Sequence, residues 1–221
     1  MNLRQLSPLS GAHLSRLLIV RALIVILSLF VFSGSWAAST AEIYSKKDGA
    51  AHGSYQAEQA AIDRTYHDFY TPERQQLADQ IISHFLGTQA TPPSQNPEVI
   101  FFAGPGGSGK TTVANWLQSM DVISQANYVV IDADQIKAMI PEYQAAIRNG
   151  QSETAAALVH KESTYIADLL VEAALRRGKN IIVDATLQHL PRSQKLLSDM
   201  RSRFAQYALS LIYVLAHLES A

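Results

Sequence analysis

The chain has 221 residues, 48% of them hydrophobic and 17% charged, with a formal net charge of −1. This balance argues against disorder over most of the length, which goes with few apolar residues and high net charge. It also argues against a dedicated nucleic-acid binder, which carries a basic excess. The chain has no cysteine, which removes disulfides, thiol catalysis and cysteine-ligated metal sites.

Residues 1–37 hold three basic side chains (Arg4, Arg16, Arg21) and no acidic one, so the rest of the chain carries 15 basic and 19 acidic residues. Ala22 to Phe32 is an apolar run broken only by Ser28, and small residues from Ser33 to Ala38 follow it. Basic, apolar, then small is the pattern of a secretory signal peptide, here with a cut after Ala37. An uncleaved anchor is the other reading, although the run is shorter than the roughly 20 apolar residues of a membrane span. The expected location is therefore export, periplasmic or secreted, if the signal is real. Otherwise the chain is membrane-anchored or cytoplasmic. Residues 38–55 show no apolar periodicity and read as a linker, leaving 56–221 for the folded domain.

A helical pattern runs from about Gln56 to Leu86. Within it, Thr71-Pro72-Glu73 is a helix start, with a Thr cap, Pro at the first position and an early acid. Leu77, Ile81, Ile82, Phe85 and Leu86 form its apolar stripe. Val99–Ala103 reads as a buried strand, 111–120 as a helix, and 128–132 as a second strand. A long helix over 154–177 ends at Gly178. A third strand covers 180–184, a helix 191–204 and a fourth strand 207–215. Apolar strands alternating with helices predict an α/β fold with a parallel sheet covered on both faces.

Between the first of these strands and its helix, Gly104, Pro105, Gly106, Gly107, Ser108, Gly109, Lys110 and Thr111 match G-x-x-x-x-G-K-[ST], with Thr112 next. Glycines let backbone N–H groups turn inward around phosphate oxygens, and the following helix points its positive end at the same anion. Lys110 supplies a mobile cation for the β- and γ-phosphates, and the Thr111 hydroxyl ligates Mg²⁺. The expected ligands are ATP and Mg²⁺, in a three-layer P-loop NTPase fold preceded by the signal-like segment.

The second strand ends Asp132-Ala133-Asp134. Extended geometry would put both carboxylates at the C-terminal edge of the sheet, where α/β folds bind ligands. Asp132 is assigned to the metal and Asp134 to the base that takes a hydroxyl proton. The alternative for Asp134 is a helix N-cap. Asp184 ends the third strand in the same way and competes with Asp132 for the metal.

These residues resemble the zeta toxin family of small P-loop kinases. The resemblance rests on Thr71-Pro-Glu-Arg74, GPGGSGKTT at 104–112, YVVIDADQIKAMIPEY at 128–143 and HKESTYIADLLVEAALRRGKNIIVDATL at 160–187. It implies transfer of the ATP γ-phosphate to a hydroxyl of a sugar nucleotide such as UDP-N-acetylglucosamine. It places the catalytic lysine on Lys110 and the catalytic aspartate on Asp134. It also implies a substrate-contacting carboxylate at Asp168, with Glu162 and Glu172 on neighbouring turns, and an antitoxin as a possible partner. Lys137 is read as a substrate contact or an exposed helix lysine, and His160 as a pocket or structural residue. Family members continue past the fourth strand with an arginine-bearing lid, whereas Val214 lies seven residues before Ala221. Arg192, Arg201 and Arg203 precede that strand and are not equivalents. The domain thus reads as incomplete at its C-terminus. The alternatives are a truncated nucleotide-binding protein without significant catalysis, or a P-loop kinase for another small molecule.

Overall fold

The computed structural model describes residues 38–88, 95–123, 125–187 and 190–215. The expected signal or anchor over 1–37 lies outside the described residues, among which no helix is long and apolar enough to cross a membrane.

The centre of the fold is a four-stranded sheet. Its strands are β3 (Glu98–Ala103), β4 (Val129–Asp132), β5 (Ile181–Ala185) and β6 (Ala208–Tyr213), in the order β4-β5-β3-β6. Every pairing is parallel. Side chains alternate across a strand, so β3 feeds two cores. Val99 and Phe101 join Val129, Ile131, Ile181 and Val183 on one face, while Ile100, Phe102 and Ile182 face the other. Residues 98–103, buried after Glu98, therefore have no polar alternation, as expected of a strand covered on both sides.

The connecting helices make the outer layers. α4 (Lys110–Ser119) follows β3 and sets Val113, Ala114 and Leu117 against the second core. β4 leads into α5 (Ala133–Ala138), α6 (Pro141–Arg148) and the long α7 (Ser152–Arg176). α7 buries Val159, Tyr165, Ile166, Leu169 and Leu170 on the first core. It stops at Gly178 (φ 65°), where the Gly178 N–H donates to the Leu175 carbonyl and the Lys179 N–H to the Ala174 carbonyl. That paired closure satisfies carbonyls left open by the helix end. α8 (Leu190–Arg203) then returns the chain to β6.

The segment before the sheet is more folded than its sequence suggests, and the expected linker over 38–55 is corrected in part. α1 (Thr40–Tyr44) has a reciprocal cap between Ser39 and Glu42, and its Thr40 and Ala41 are buried. The Thr40 hydroxyl donates to the Leu158 carbonyl at 3.4 Å. β1 (Ser45–Lys46) pairs antiparallel with β2 (Phe69–Tyr70). The helical pattern from Gln56 is also broken in two, into α2 (Gln56–Ala61) and α3 (Pro72–Thr88). Asp63 turns the chain between them by accepting the Thr65 N–H at 2.9 Å. Thr71 caps α3 as expected, its hydroxyl accepting the Arg74 N–H at 3.4 Å.

One buried charge ties three of these helices together. Arg74 on α3, 8% exposed, donates to Glu142 on α6 at 2.8 and 2.9 Å and to Glu162 on α7 at 2.5 and 2.7 Å. Its guanidinium also lies 4.5 Å from the centre of the Tyr44 ring. Burial works against the arginine charge, and the two carboxylates more than offset it. Burial likewise pushes the Glu142 carboxyl up, but the Arg74 hydrogen bonds and charge outweigh it and hold the group below its ordinary 4.5.

A carboxylate depressed in the folded state binds fewer protons there than in the unfolded chain. Its stabilisation is therefore complete above the ordinary value and is lost as pH falls through the depressed one. Arg74→Met leaves the buried Glu162 carboxylate without its cation, beside the partly exposed Glu142, and removing one partner of a buried pair costs about 3–5 kcal/mol. We expect urea denaturation to show that loss at pH 7 and to show it shrink as pH drops below the ordinary glutamate range.

Candidate active site

Parallel pairing puts the C-terminal ends of β3, β4 and β5 at one edge of the sheet. Ala103 runs into the glycine loop there, and Asp132 stands beside Asp184 as its register partner. The loop and both strand-end acids thus reach one place from three distant stretches of chain.

The loop geometry requires its glycines. Gly104 has φ 147°, Gly107 75° and Gly109 88°, all in the region that disfavours a side chain. A Cβ on Gly104 would meet the Val214 carbonyl oxygen at 2.3 Å and Ser108 Oγ at 2.9 Å, whereas at Gly106, Gly107 and Gly109 it would stand in open space. The first glycine therefore lets β6 and the loop pass closely. The other three keep clear the ground in front of the backbone N–H groups. Ser108 Oγ is buried with no hydrogen-bond partner among the described residues. We expect Gly104→Ala to lower the melting temperature and nucleotide affinity together, and Gly106→Ala to lower affinity alone. Thermal melts with and without nucleotide separate the two.

Lys110 opens α4 directly after the left-handed Gly109. Its ammonium donates to the carbonyls of Gly104 (3.0 Å) and Pro105 (3.1 Å) and lies 3.9 Å from an Asp184 oxygen. These neutral acceptors keep the charge at the loop without committing it to one strong partner. Pro105 and Thr112 are exposed, as is Thr111 on the first turn of α4.

Burial pushes the Asp184 carboxyl above its ordinary 3.8; Lys110 pulls it down, and the charges of Asp132 and Asp134 push it up again. Three carboxylates thus repel one another beside one lysine. A carboxyl raised in the folded state makes the protein lose stability as pH rises through the raised value. We expect Asp184→Asn to melt higher than the natural chain at pH 7, with the gap closing near pH 4.

Asp132 has a capping part besides the metal role expected of it. Its side chain accepts the Asp134 N–H at 2.8 Å and caps α5, so the N-cap is Asp132 and not Asp134. Asp134 is 82% exposed on its side chain and pairs with the Lys137 ammonium at 2.7 Å. Lys137 is not an exposed helix lysine, since its side chain is only 12% exposed.

Residues that could hold a divalent ion are the Thr111 hydroxyl and the Asp184 carboxylate, with Asp132 alongside. The crowding of negative charge around Asp184 fits such an ion, because a cation there relieves the repulsion. Among the described residues no group of three His, Asp or Glu side chains could hold an ion by itself. Phosphate oxygens would have to complete the shell, as is usual for Mg²⁺.

The acids assigned to substrate on α7 are placed elsewhere. Glu162 is 1% exposed with both oxygens bound by Arg74, which leaves it no face for a substrate; that expectation is corrected. Glu172 is buried and paired with Arg176 and Arg203, which also commits Arg203 away from the loop. Asp168 is 21% exposed and bonded at 2.7 Å to Nε2 of the buried His67. It lines a cavity with Val171, Leu175, Lys195, Met200 and Phe204, beside the last turns of α7 and α8. His160 is exposed. Sequence reading missed Arg74 as anything but a first-turn residue and did not single out His67. The only signal for Arg74 was its place in the Thr71-Pro72-Glu73-Arg74 stretch.

A family model described as Zeta toxin matches residues 82–221. Among solved structures, one of the PezAT chromosomal toxin–antitoxin system of Streptococcus pneumoniae superposes with a TM-score of 0.54 at 20% identity, covering 66% of this chain and 57% of its own. The AvrRxo1-ORF1:AvrRxo1-ORF2 complex with sulphate ions gives 0.55 at 21%, covering 82% and 56%. At that identity they show the fold. A calmodulin calcium-dependent NAD kinase of Arabidopsis thaliana is 33% identical over 113 residues, 49% of this chain and 21% of that protein. The chain spans little more than half the length of the solved structures and about a fifth of the curated relative.

Proposed function

Because the chain belongs to the zeta toxin family, we propose that it is an ATP-dependent phosphotransferase that moves the γ-phosphate to a hydroxyl of a sugar nucleotide such as UDP-N-acetylglucosamine. One observation carries this reading. The glycine loop with Lys110 and the carboxylates of Asp132, Asp134 and Asp184 meet at one sheet edge.

In the proposed reaction the loop N–H groups hold the β-phosphate, and the Lys110 ammonium leaves two carbonyls for the β- and γ-phosphate oxygens. Mg²⁺, when bound, neutralises phosphate charge. Thr111 and Asp184 would hold it, with Asp132 beside them. Asp134 orients the acceptor hydroxyl and takes its proton as the oxygen attacks the γ-phosphorus. The bond from that phosphorus to the β–γ bridging oxygen breaks, and ADP leaves. The exposed Asp134 carboxylate is open to an acceptor, with the Lys137 ammonium 2.7 Å from one of its oxygens.

A second acceptor class is favoured by the name of the curated relative. A kinase of NAD phosphorylates a hydroxyl of a dinucleotide, so NAD is the competing acceptor. An antitoxin partner belongs to the same proposal, supported by the toxin–antitoxin assembly among the structural neighbours. Export belongs to it as well if residues 1–37 act as a signal.

The test is ATP consumption by the full chain with UDP-N-acetylglucosamine, with NAD and with neither. We expect turnover with the sugar nucleotide. Lys110→Ala should abolish it, and Asp134→Asn should lower kcat by about a hundredfold or more, the size of a lost general base, with ATP binding intact. Nucleotide binding without turnover on either acceptor would leave a nucleotide-binding protein and overturn the phosphotransferase reading.

A further inference from the structure

We propose that Arg74 is a positioning residue. Its guanidinium holds the α5–α6 arm, and with it the Asp134 carboxylate, where an acceptor hydroxyl is met. The catalytic half of this statement rests on the phosphotransferase reading above; the structural half does not.

Asp134 has little support of its own. Its side chain is 82% exposed, and its side-chain partner among the described residues, Lys137, sits on the same short helix. The carboxylate therefore takes its place from the backbone of Ala133–Ala138. That helix has six residues and the next, Pro141–Arg148, has eight. Helices this short are not stable alone and depend on packing. The second has no side-chain cap bond at Ile140.

Beyond the Asp132 cap at its start and the Gln144 Nε2 bond to the Ala138 carbonyl within it, two kinds of contact hold the arm to the rest of the fold. Ile136 and Ile140 are fully buried, which keeps the arm on the core without fixing its angle, since burial is non-directional. The Arg74 fork supplies direction. Two guanidinium nitrogens bind both oxygens of Glu142 at 2.8 and 2.9 Å, on the first turn of α6. The same guanidinium binds both oxygens of Glu162 on α7, a helix seated against the sheet. Planar two-point bonds fix orientation as well as distance, and a lysine ammonium cannot reproduce them. The Tyr44 ring at 4.5 Å closes one face of the plane. Buried ion groups often stabilise no better than apolar replacements of the same shape. What this one adds beyond an apolar contact is the angle of the arm.

Two variants of the full chain test the proposal. Arg74→Lys keeps the charge and loses the fork. The triple variant Arg74→Met, Glu142→Gln, Glu162→Gln removes fork and buried charge together, so that neither carboxylate is left unpaired. Both are read by amide hydrogen exchange and by steady-state kinetics. We expect exchange across Ala133–Arg148 to speed up by about tenfold or more while β3 and α4 are unchanged, the signature of local loosening. We also expect kcat to fall by about tenfold at an unchanged KM for ATP. Unchanged exchange in the arm, or an equal rise everywhere, overturns the proposal. Faster exchange with an unchanged kcat overturns the link to Asp134. If the natural chain consumes no ATP with either acceptor, the phosphotransferase reading fails, while the exchange pattern still decides whether Arg74 holds the arm.

Discussion

Parallel pairing of β3, β4 and β5 is the constraint on which the rest depends. A parallel sheet sends every strand end to the same edge, and the register sets Asp132 opposite Asp184. The glycine loop leaves the neighbouring strand at that edge. In an antiparallel arrangement of the same strands, one of the two acids would stand at the far end, a strand length away. The parallel arrangement needs both sheet faces covered, and the alternation of Val99 and Phe101 against Ile100 and Phe102 achieves that on a single strand.

The same edge stores electrostatic tension. Asp184 is pushed up by burial and by the charges of Asp132 and Asp134, with Lys110 alone opposing. Such a cluster lowers stability at neutral pH and prepares the edge for a cation and a polyphosphate. The Arg74 cluster works in the opposite sense. Its one guanidinium and two carboxylates are hydrogen-bonded to each other, so it holds helices together and has little left to offer a ligand. Charged groups near the loop are thus incompletely hydrogen-bonded, and those behind the acid-bearing arm bond one another at both oxygens of each carboxylate.

Much of this was legible in the chain. Four strands, the cap at Thr71 and the end of the long helix at Gly178 are local patterns, and the sequence places each within one or two residues. The glycine loop was equally plain, because its requirement for positive φ is written into one short stretch. Other readings failed for want of a distant partner. Glu162 reads as a substrate acid only through the family resemblance, as a neighbour of Asp168; its partner, Arg74, is 88 residues away. Residues 38–55 looked like a linker because α1 has only five residues, too few for periodicity, and its burial depends on Leu158.

What the sequence determined by itself is the chemistry of short range: where the strands lie, where glycine must be, and that a lysine and two strand-end acids are available. Dihedral preference and side-chain spacing act between near neighbours, so a linear reading captures them. Tertiary structure alone decided which acids are left for chemistry. It spent Glu162 on Arg74, buried most of the Lys137 side chain and left the Asp134 carboxylate in solvent. Those outcomes depend on partners and packing that only the fold brings near, whereas the Asp132 cap and the Asp134–Lys137 pair, two and three residues apart, are local contacts.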